Sequence, residues 1–138
     1  ALPDAPDKKL INISSVGGGI ATFPGFRLSD GMSKSAVAFM TQQLAAEAVH
    51  LNVDIFAICP GATNTPMFHA STLSKMSPDE QNDFFQHLPK GRLIEPEEIA
   101  GIVHFLAGPA ARVLHGAVID ASMGLGVRPG LMSEYGSP

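Results

Sequence analysis

Three short apolar segments alternate with two longer segments of helical periodicity along this chain. Residues 9–14, 53–61 and 116–122 are rich in Val, Ile and Ala and are bounded by polar or turn residues, which predicts buried strands. In residues 33–51 and 96–106 apolar side chains recur every three or four positions, which predicts two helices. The order strand, helix, strand, helix, strand is typical of an α/β fold with a parallel sheet and right-handed crossovers.

Residues that are typical of helix ends indicate where the predicted helices begin and end. Pro96 stands near the first position of the second helix, acidic residues follow in its first turn, and Gly108 comes just after its end. Residues 67–88 are a mixed polar and aromatic segment with weak helical signals, in which Ser77 and the proline after it predict a capped helix start. Residues 15–31 contain five glycines and a proline, which predicts a long irregular loop, and such loops are usually functional.

The composition is apolar for a chain of 138 residues, with 45% hydrophobic and 16% charged residues. A chain of this length forms one domain or part of one, and its apolar fraction indicates strands buried on both faces or association with another chain. The net charge is −4 and the nine Lys and Arg residues are scattered along the sequence. A basic patch of the kind that binds nucleic acid is therefore not predicted.

The sequence predicts a protein of the cytoplasm. No apolar run approaches the roughly 18 to 20 residues that cross a bilayer, and the first ten residues lack the basic-then-apolar order of a signal peptide. Cys59 is the single cysteine, which fits a reducing compartment, and we interpret it as a small buried hydrophobe at a strand end. No membrane partner and no metal site are predicted. The Pro- and Asp-rich start leads directly into a strand, which suggests that the sequence begins inside a larger domain.

The loops that follow Ser14, Cys59 and Ser122 are expected to meet, because ligands of open parallel sheets bind at the carboxyl ends of the strands. The first two loops are rich in Gly, Ser and Thr, so this convergence predicts a small-molecule site. The triple glycine at residues 17–19 does not have the spacing of a dinucleotide-binding turn and no helix follows it at once. We interpret these glycines, and those between residues 124 and 130, as turn residues.

Several motifs together resemble a known family. They are "INISS" followed by a Gly-rich loop, a Lys that opens a long helix, "CPGATNTPM" after the next strand, "GRLIEPEEIAGIVHFLAG" and "GAVIDASMG". In order and spacing they resemble the C-terminal half of the short-chain dehydrogenase/reductase family, in the group that includes the 3-oxoacyl-carrier-protein reductases. The resemblance covers about residues 9–126. It implies the C-terminal half of a Rossmann-like doubly wound parallel sheet, with about three strands, in one partial domain of residues 1–138 and a tail from residue 123.

The resemblance also implies a reaction and its catalytic residues. Family members transfer a hydride between NAD or NADP and a small carbonyl or alcohol substrate. The serine that hydrogen-bonds the substrate carbonyl matches Ser15, and the lysine that contacts the ribose hydroxyls and lowers the pKa of the catalytic tyrosine matches Lys34. Without the family, Ser15 would be interpreted as a serine that caps a turn and Lys34 as a solvated helix residue.

Four further residues match the part of the family site that faces the nicotinamide. Pro60 and Gly61 match the Pro-Gly pair after the strand, and Thr65 matches the threonine that follows it, with the backbone of Thr63 nearby. The alternative for both threonines is hydrogen bonding within a turn.

Asp30 stands where the family has its proton donor, a tyrosine four residues before the lysine. That spacing puts two side chains on one helical face. An aspartate at this position accepts hydrogen bonds at neutral pH, whereas reduction needs a donor to the nascent alkoxide, and its side chain is shorter than a phenol. The alternative is structural, since an acid here favours the helix dipole and Lys34. Tyr135, the single tyrosine, lies in the tail.

The family's N-terminal half, with its phosphate-binding turn and catalytic asparagine, has no counterpart in this sequence, so weak cofactor binding by this chain alone is expected. Two functions remain open: an oxidoreductase or its C-terminal portion, and a non-catalytic pseudoenzyme or fragment that acts as an interaction module. For both, the resemblance implies a homo-oligomer through the helix of residues 33–51. A weaker alternative is a ligand-binding module with residues 67–88 as its lid.

Overall fold

Three parallel strands form the centre of the fold. The computed structural model describes residues 8–133, and its strands are β1 (Lys8–Ile13), β2 (Val53–Pro60) and β3 (Val118–Ala121). They lie in the order β1-β2-β3, with Ile11 beside Phe56 and Ile58 beside Ile119. All three predicted strands are thus confirmed, each within two residues of its predicted bounds.

The middle strand, β2, is buried on both faces, which explains its nearly continuous apolar sequence. Successive strand residues point to opposite faces. On one face Ile55 packs against α2 (Leu28–Glu47), and on the other Phe56 and Ile58 pack against α5 (Pro96–Ala107). Helices therefore cover both sides of a parallel sheet, and the predicted α/β architecture, half of a doubly wound sheet, is confirmed.

Shorter elements occupy the connections. One segment, between β2 and α5, holds two α-helices and two 3₁₀ turns around their own small core. The elements are α1 (Val16–Gly19), α3 (Pro66–Ser71), a 3₁₀ turn (Leu73–Lys75), α4 (Pro78–His87), a 3₁₀ turn (Pro89–Gly91), a 3₁₀ helix (Pro109–Leu114) and α6 (Gly130–Ser133).

Two predictions about the first connection were wrong. Residues 15–31 are not one irregular loop, since α2 already begins at Leu28, whereas α1 after Ser15 is a single turn in which Gly17 and Gly18 have non-helical backbone angles. The helix predicted from residue 33 thus starts five residues earlier, because the amide of Gly31 already bonds the carbonyl of Arg27 at 3.1 Å. It also ends at Glu47 instead of residue 51, since the chain turns there to enter β2.

Other predictions about the connections hold. The helix predicted at residues 96–106 is α5, and Ser77 caps α4 with a capping box completed by Glu80. No helix among residues 8–133 is long and apolar enough to span a membrane. The predicted tail begins as a turn and the short α6, while Tyr135 lies outside the described residues.

Candidate functional site

The loops that leave the carboxyl ends of the three strands meet at one edge of the sheet, as predicted. The amide of Ser14 bonds the carbonyl of Ile58 at 2.8 Å, so the first loop starts beside β2. A Cβ atom on Gly61 would lie 3.1 Å from Cα of Ser122, so the second and third loops are in direct contact. The sequence order of strands and loops is sufficient to predict this edge as the site.

Ser15 lies at this edge, half-buried, as the cap of α1. Its side-chain oxygen accepts a hydrogen bond from the amide of Gly17 at 3.2 Å, which is the turn-capping role considered as its alternative. The hydroxyl hydrogen remains available to donate to another group, since a serine both donates and accepts. Capping and substrate contact are therefore compatible for Ser15.

Three contacts fix the Ser15 segment against the start of α2. The Ser14 hydroxyl donates to the carbonyl of Lys34 at 2.7 Å, and the Ser35 hydroxyl donates to the carbonyl of Gly18 at 2.6 Å. Gly18 has a φ of +93°, and a Cβ there would lie 2.3 Å from the carbonyl oxygen of Gly31, so the two backbones approach as only glycine allows. These contacts bring Ser15 and Lys34 to the same edge.

Lys34 lies in the second turn of α2 and is half-buried, whereas Asp30 is exposed in the first turn. Within residues 8–133 the ammonium of Lys34 has no ion pair or hydrogen bond, and the expected pairing with Asp30 is not formed. Asp30 does occupy the first turn of the helix, where a carboxylate favours the dipole. The structural role of Asp30 thus involves the helix terminus and not the lysine.

Pro60 ends β2, opposite Ala121 in the register, and Gly61 follows it. Beyond them, Thr63 donates its hydroxyl to the carbonyl of Gly61 at 2.9 Å, and the Thr65 oxygen caps α3 by accepting from the amide of Phe68 at 3.2 Å. The turn hydrogen bonds considered as an alternative for both threonines are therefore present. The hydroxyl hydrogen of Thr65 remains free to donate.

Cys59 is fully buried beside this edge and is not a nucleophile candidate. Burial raises the pKa of its thiol, an effect that the hydrogen bond with Ser14 opposes and the charge of Asp120 reinforces. A thiol with a raised pKa is inert at neutral pH. The interpretation of Cys59 as a small buried hydrophobe is confirmed.

Four polar residues contribute to this edge of the sheet, although the sequence did not indicate a role for them in the site: Ser14, Ser35, Asn64 and Ser122. Ser122 accepts from the amide of Gly126 at 2.9 Å and donates to Asp120, which fixes the loop after β3. The serine pair at residues 14 and 15 is a signal that could have been used, since one of two adjacent strand-end serines must face inward. Among residues 8–133 no cluster of three or more His, Cys, Asp or Glu is arranged to hold a metal ion.

The chain is similar in sequence to a known family and to individual enzymes of that family. The sequence profile of the family described as enoyl-(acyl carrier protein) reductase matches residues 4–126. Galactitol 2-dehydrogenase (L-tagatose-forming) of Cereibacter sphaeroides is 35% identical over 115 residues, which are 83% of this chain and 44% of the relative. The 3-alpha-hydroxysteroid dehydrogenase/carbonyl reductase of Comamonas testosteroni is 35% identical over 107 residues, 76% of this chain and 41% of the relative.

A solved structure gives the same result for the fold. The 3-oxoacyl-[acyl-carrier protein] reductase from Brucella melitensis in complex with NAD superposes with a TM-score of 0.76 at 26% identity, over 92% of this chain and 48% of that one. The chain thus spans about half the length of the relatives that it matches. The profile match over most of the sequence, the identity with these relatives and the common fold agree, and the chain belongs to the short-chain dehydrogenase/reductase family.

Proposed function

We propose that this chain contributes the carboxyl-terminal half of an NAD(P)-dependent oxidoreductase site, which transfers a hydride between the cofactor and a small carbonyl or alcohol substrate. Residues 1–138 would then form one partial domain. The observation that carries the proposal is the meeting of Ser15, Lys34 and the Pro60–Gly61 turn at one sheet edge, with the ammonium of Lys34 uncommitted within residues 8–133.

The donor groups at this edge fit the nicotinamide and ribose end of the cofactor. An ammonium has three hydrogens to donate, which suits the ribose hydroxyls assigned to Lys34. The free hydroxyl hydrogen of Thr65 and the backbone of Thr63 suit the nicotinamide amide. Gly61 has no side chain, which lets this turn pack against Ser122 in the loop after β3. A bound nicotinamide cofactor supplies or accepts the hydride.

The adenosine end of the cofactor has no comparable residues in this sequence. The glycines at residues 17–19 do not open a long helix as a phosphate-binding turn does, since α1 ends at Gly19. We therefore propose that NAD or NADP binds weakly to this chain alone. In the relatives, the remaining half of the sequence lies outside the match.

Asp30 limits the proton transfer at this site. A carbonyl that receives a hydride becomes an alkoxide and needs a proton donor, whereas a carboxylate only accepts. Ser15 can hold the carbonyl oxygen and Lys34 can hold the ribose, but neither replaces the phenol one helical turn before Lys34. We propose that this substitution, and not the arrangement of the other residues, limits the activity.

The test replaces Asp30 with tyrosine. The D30Y variant of the full chain is expected to raise NADPH-dependent reduction of a panel of ketones, aldehydes and 3-oxoacyl thioesters by about 10²- to 10⁴-fold, the typical contribution of general acid catalysis. The measurement is NADPH consumption together with product formation. Adding Lys34→Met to D30Y should remove the gain.

A matched control is Asp79→Tyr, because Asp79 is also exposed in the first turn of a helix but lies in α4, away from the sheet edge. This control should leave the rate unchanged. A folded D30Y variant that stays as inert as the parent chain at NADPH concentrations that saturate binding would contradict the oxidoreductase proposal.

The second proposal is a non-catalytic interaction module that forms a homo-oligomer through α2. It is favoured by the apolar side chains that α2 presents to solvent, among them Leu28, Met32 and Phe39, which are 77%, 63% and 67% exposed. Monomeric proteins rarely expose a contiguous apolar stripe of this kind. The first proposal requires turnover and the second requires association, so they are tested by different measurements.

A further inference from the structure

An apolar groove runs along the solvent side of α2 and has a volume of about 1010 Å³. One wall is a single face of the helix, because the residues that form it recur every three or four positions: Leu28, Met32, Ser35 and Phe39. The opposite wall is the connection of residues 20–26, which contributes the rings of Phe23 and Phe26. Phe26 is 45% exposed, and the apolar residues of the α2 wall are more exposed still. A groove of this kind is rarely left uncovered in a monomer.

The chain after β3 leads to this groove. Gly126 and Pro129 line it, and a Cβ atom on Gly126 would lie 3.0 Å from Cγ2 of Ile20, so the loop after β3 packs against the groove wall. The short α6 (Gly130–Ser133) follows directly. Its four residues rise by roughly 6 Å, so the chain leaves α6 close to Pro129.

Residues 134–138, which we call the EYGSP segment, come next in the sequence and lie outside the described residues. Tyr135 is two residues beyond Ser133, which is roughly 7 Å of extended chain. The α2 wall from Leu28 to Phe39 is roughly 17 Å long. The ring of Tyr135 is therefore within reach of much of the groove.

The chemistry of the EYGSP segment matches that of the groove. An aromatic ring such as that of Tyr135 packs favourably against other aromatic side chains, and the groove presents three phenylalanines. Arg27 also lines the groove, and its guanidinium forms no ion pair within residues 8–133. Glu134 precedes Tyr135 and supplies the opposite charge.

We propose that the EYGSP segment docks in the groove of its own chain, with the ring of Tyr135 against Phe26 and Phe39 and the carboxylate of Glu134 opposite Arg27. The docked segment covers the face of α2 that the interaction-module proposal assigns to association. It would thus compete with a second copy and weaken association without abolishing it, a consequence that rests on that proposed function.

The test uses Tyr135 as its own probe, because the chain contains one tyrosine and no tryptophan. In the dilute monomer, acrylamide should quench tyrosine emission about fivefold less efficiently in the parent chain than in Met32→Glu, as for a docked fraction of about four-fifths. The new carboxylate on the α2 wall opposes docking, since it would lose its hydration under the ring. Urea unfolding checks that Met32→Glu is folded.

The matched control is Met67→Glu, because Met67 is 78% exposed but lies in α3 and does not line the groove. It should leave the quenching as in the parent chain. Protection of Tyr135 should also persist on further dilution. Protection that is lost on dilution would identify a second copy as the occupant and overturn the proposal.

A charge exchange tests the contact between Glu134 and Arg27. Arg27→Glu should raise the quenching of Tyr135 about twofold, as for loss of an exposed ion pair, and the further change Glu134→Arg should restore protection. A merely structural role of Arg27 would not be rescued in this way. If Met32→Glu unfolds, this exchange decides by itself.

Equal quenching in the parent chain and Met32→Glu, equal effects of Met32→Glu and Met67→Glu, or no rescue by Glu134→Arg would each overturn the docked segment. Its competition with a second copy is tested by sedimentation velocity of Tyr135→Ser, which should associate about fivefold more strongly than the parent chain. A protected Tyr135 in a chain that never associates would contradict the interaction module alone. An exposed Tyr135 in a chain that associates would contradict the docked segment alone.

Discussion

Two consecutive residues in the segment between β2 and α5, Lys90 and Gly91, have backbone φ angles of +61° and +68°. This left-handed region costs an ordinary residue roughly 1–2 kcal/mol, whereas glycine enters it freely. The turn therefore has a strained lysine beside a glycine that suits its conformation. The strain lies just before Arg92, whose side chain donates two hydrogen bonds to Glu98 in the first turn of α5.

We expect opposite effects from exchanging the residue types in this turn. Gly91→Ala should lower the free energy of unfolding by about 1 kcal/mol, and since a Cβ there meets nothing within 4 Å, the loss reports the backbone angle alone. Lys90→Gly should be neutral or stabilise by up to about 1 kcal/mol, because relief of strain is offset by backbone entropy. Urea unfolding of both variants checks this, and an unaffected Gly91→Ala variant would contradict it.

Asp54 is a second residue whose environment leads to a measurable effect. It is buried at the start of β2, 2.6 Å from Nζ of Lys9 and 3.6 Å from Nε of Arg112. Burial acts to raise the pKa of Asp54, but the hydrogen bond and charge of Lys9, together with Arg112, hold that pKa below its ordinary value. Folding is therefore linked to the ionisation of this carboxyl.

The direction of the pH dependence follows from this lowered pKa. The carboxylate stabilises the fold fully above the unfolded-state pKa of about 3.9, and the contribution is lost as pH falls through the lower folded-state value. Asp54→Asn should flatten the pH dependence of unfolding below about pH 5 and, at pH 7, leave Lys9 buried without its counter-ion at a loss of about 3 kcal/mol.

Chemical denaturation between pH 2 and 7 measures both effects of Asp54→Asn. Some acid sensitivity should remain, because the hydrogen bond from Arg92 lowers the pKa of Glu98 to about 2. Glu98→Gln in the same series identifies that remainder. A parent and an Asp54→Asn variant with parallel pH profiles would refute the linkage.

At the scale of elements, the sequence predicts the helices and strands whose formation depends on residues that are close in the sequence. The strands, α5 and the capped start of α4 were readable, because apolar runs and cap residues act locally. The start of α2 could not be predicted, since Gly31 and the polar residues after Leu28 are typical of a loop. That first turn is held by Gly18 and Ser35, whose contacts form only when α1 and α2 approach each other.

The candidate site likewise has some contacts that the sequence predicts and others that it does not. Strand order alone predicted which sheet edge collects Ser15 and Gly61, because the carboxyl ends of parallel strands share one side. The contact of Asn64 with Glu95 could not be predicted, since it spans 31 residues and depends on backbone hydrogen bonds that join residues 62–64 to Ile94. His115 is a similar case, with Nδ1 accepting from the amide of Ile55 and Nε2 donating to the carbonyl of Ala45. It joins β2 to the end of α2 with no sequence signal.

At the scale of the whole molecule, apolar side chains are exposed on both β1 and α2. The chain has about half the length of the relatives that it matches. Leu10 and Ile13 are 37% and 45% exposed on β1, which pairs with β2 on one side only. On α2, the core face carries Ala38, Thr41 and Ala45, while Phe39 lies toward solvent. Helix periodicity places Phe39 off the core face, and a large apolar side chain exposed at such a position favours α2 as an interface.

Association through α2 can be tested at Phe39. Sedimentation velocity over a range of concentrations should show the parent chain as an oligomer, and Phe39→Glu should weaken association by at least about tenfold, because a buried aromatic side chain is a typical hot spot and a carboxylate in its place must be desolvated. The matched control is Val113→Glu, since Val113 is 90% exposed and lies in the 3₁₀ helix before β3. A monomeric parent, or equal weakening by both variants, would exclude α2 as a specific interface and remove the basis of the interaction-module proposal.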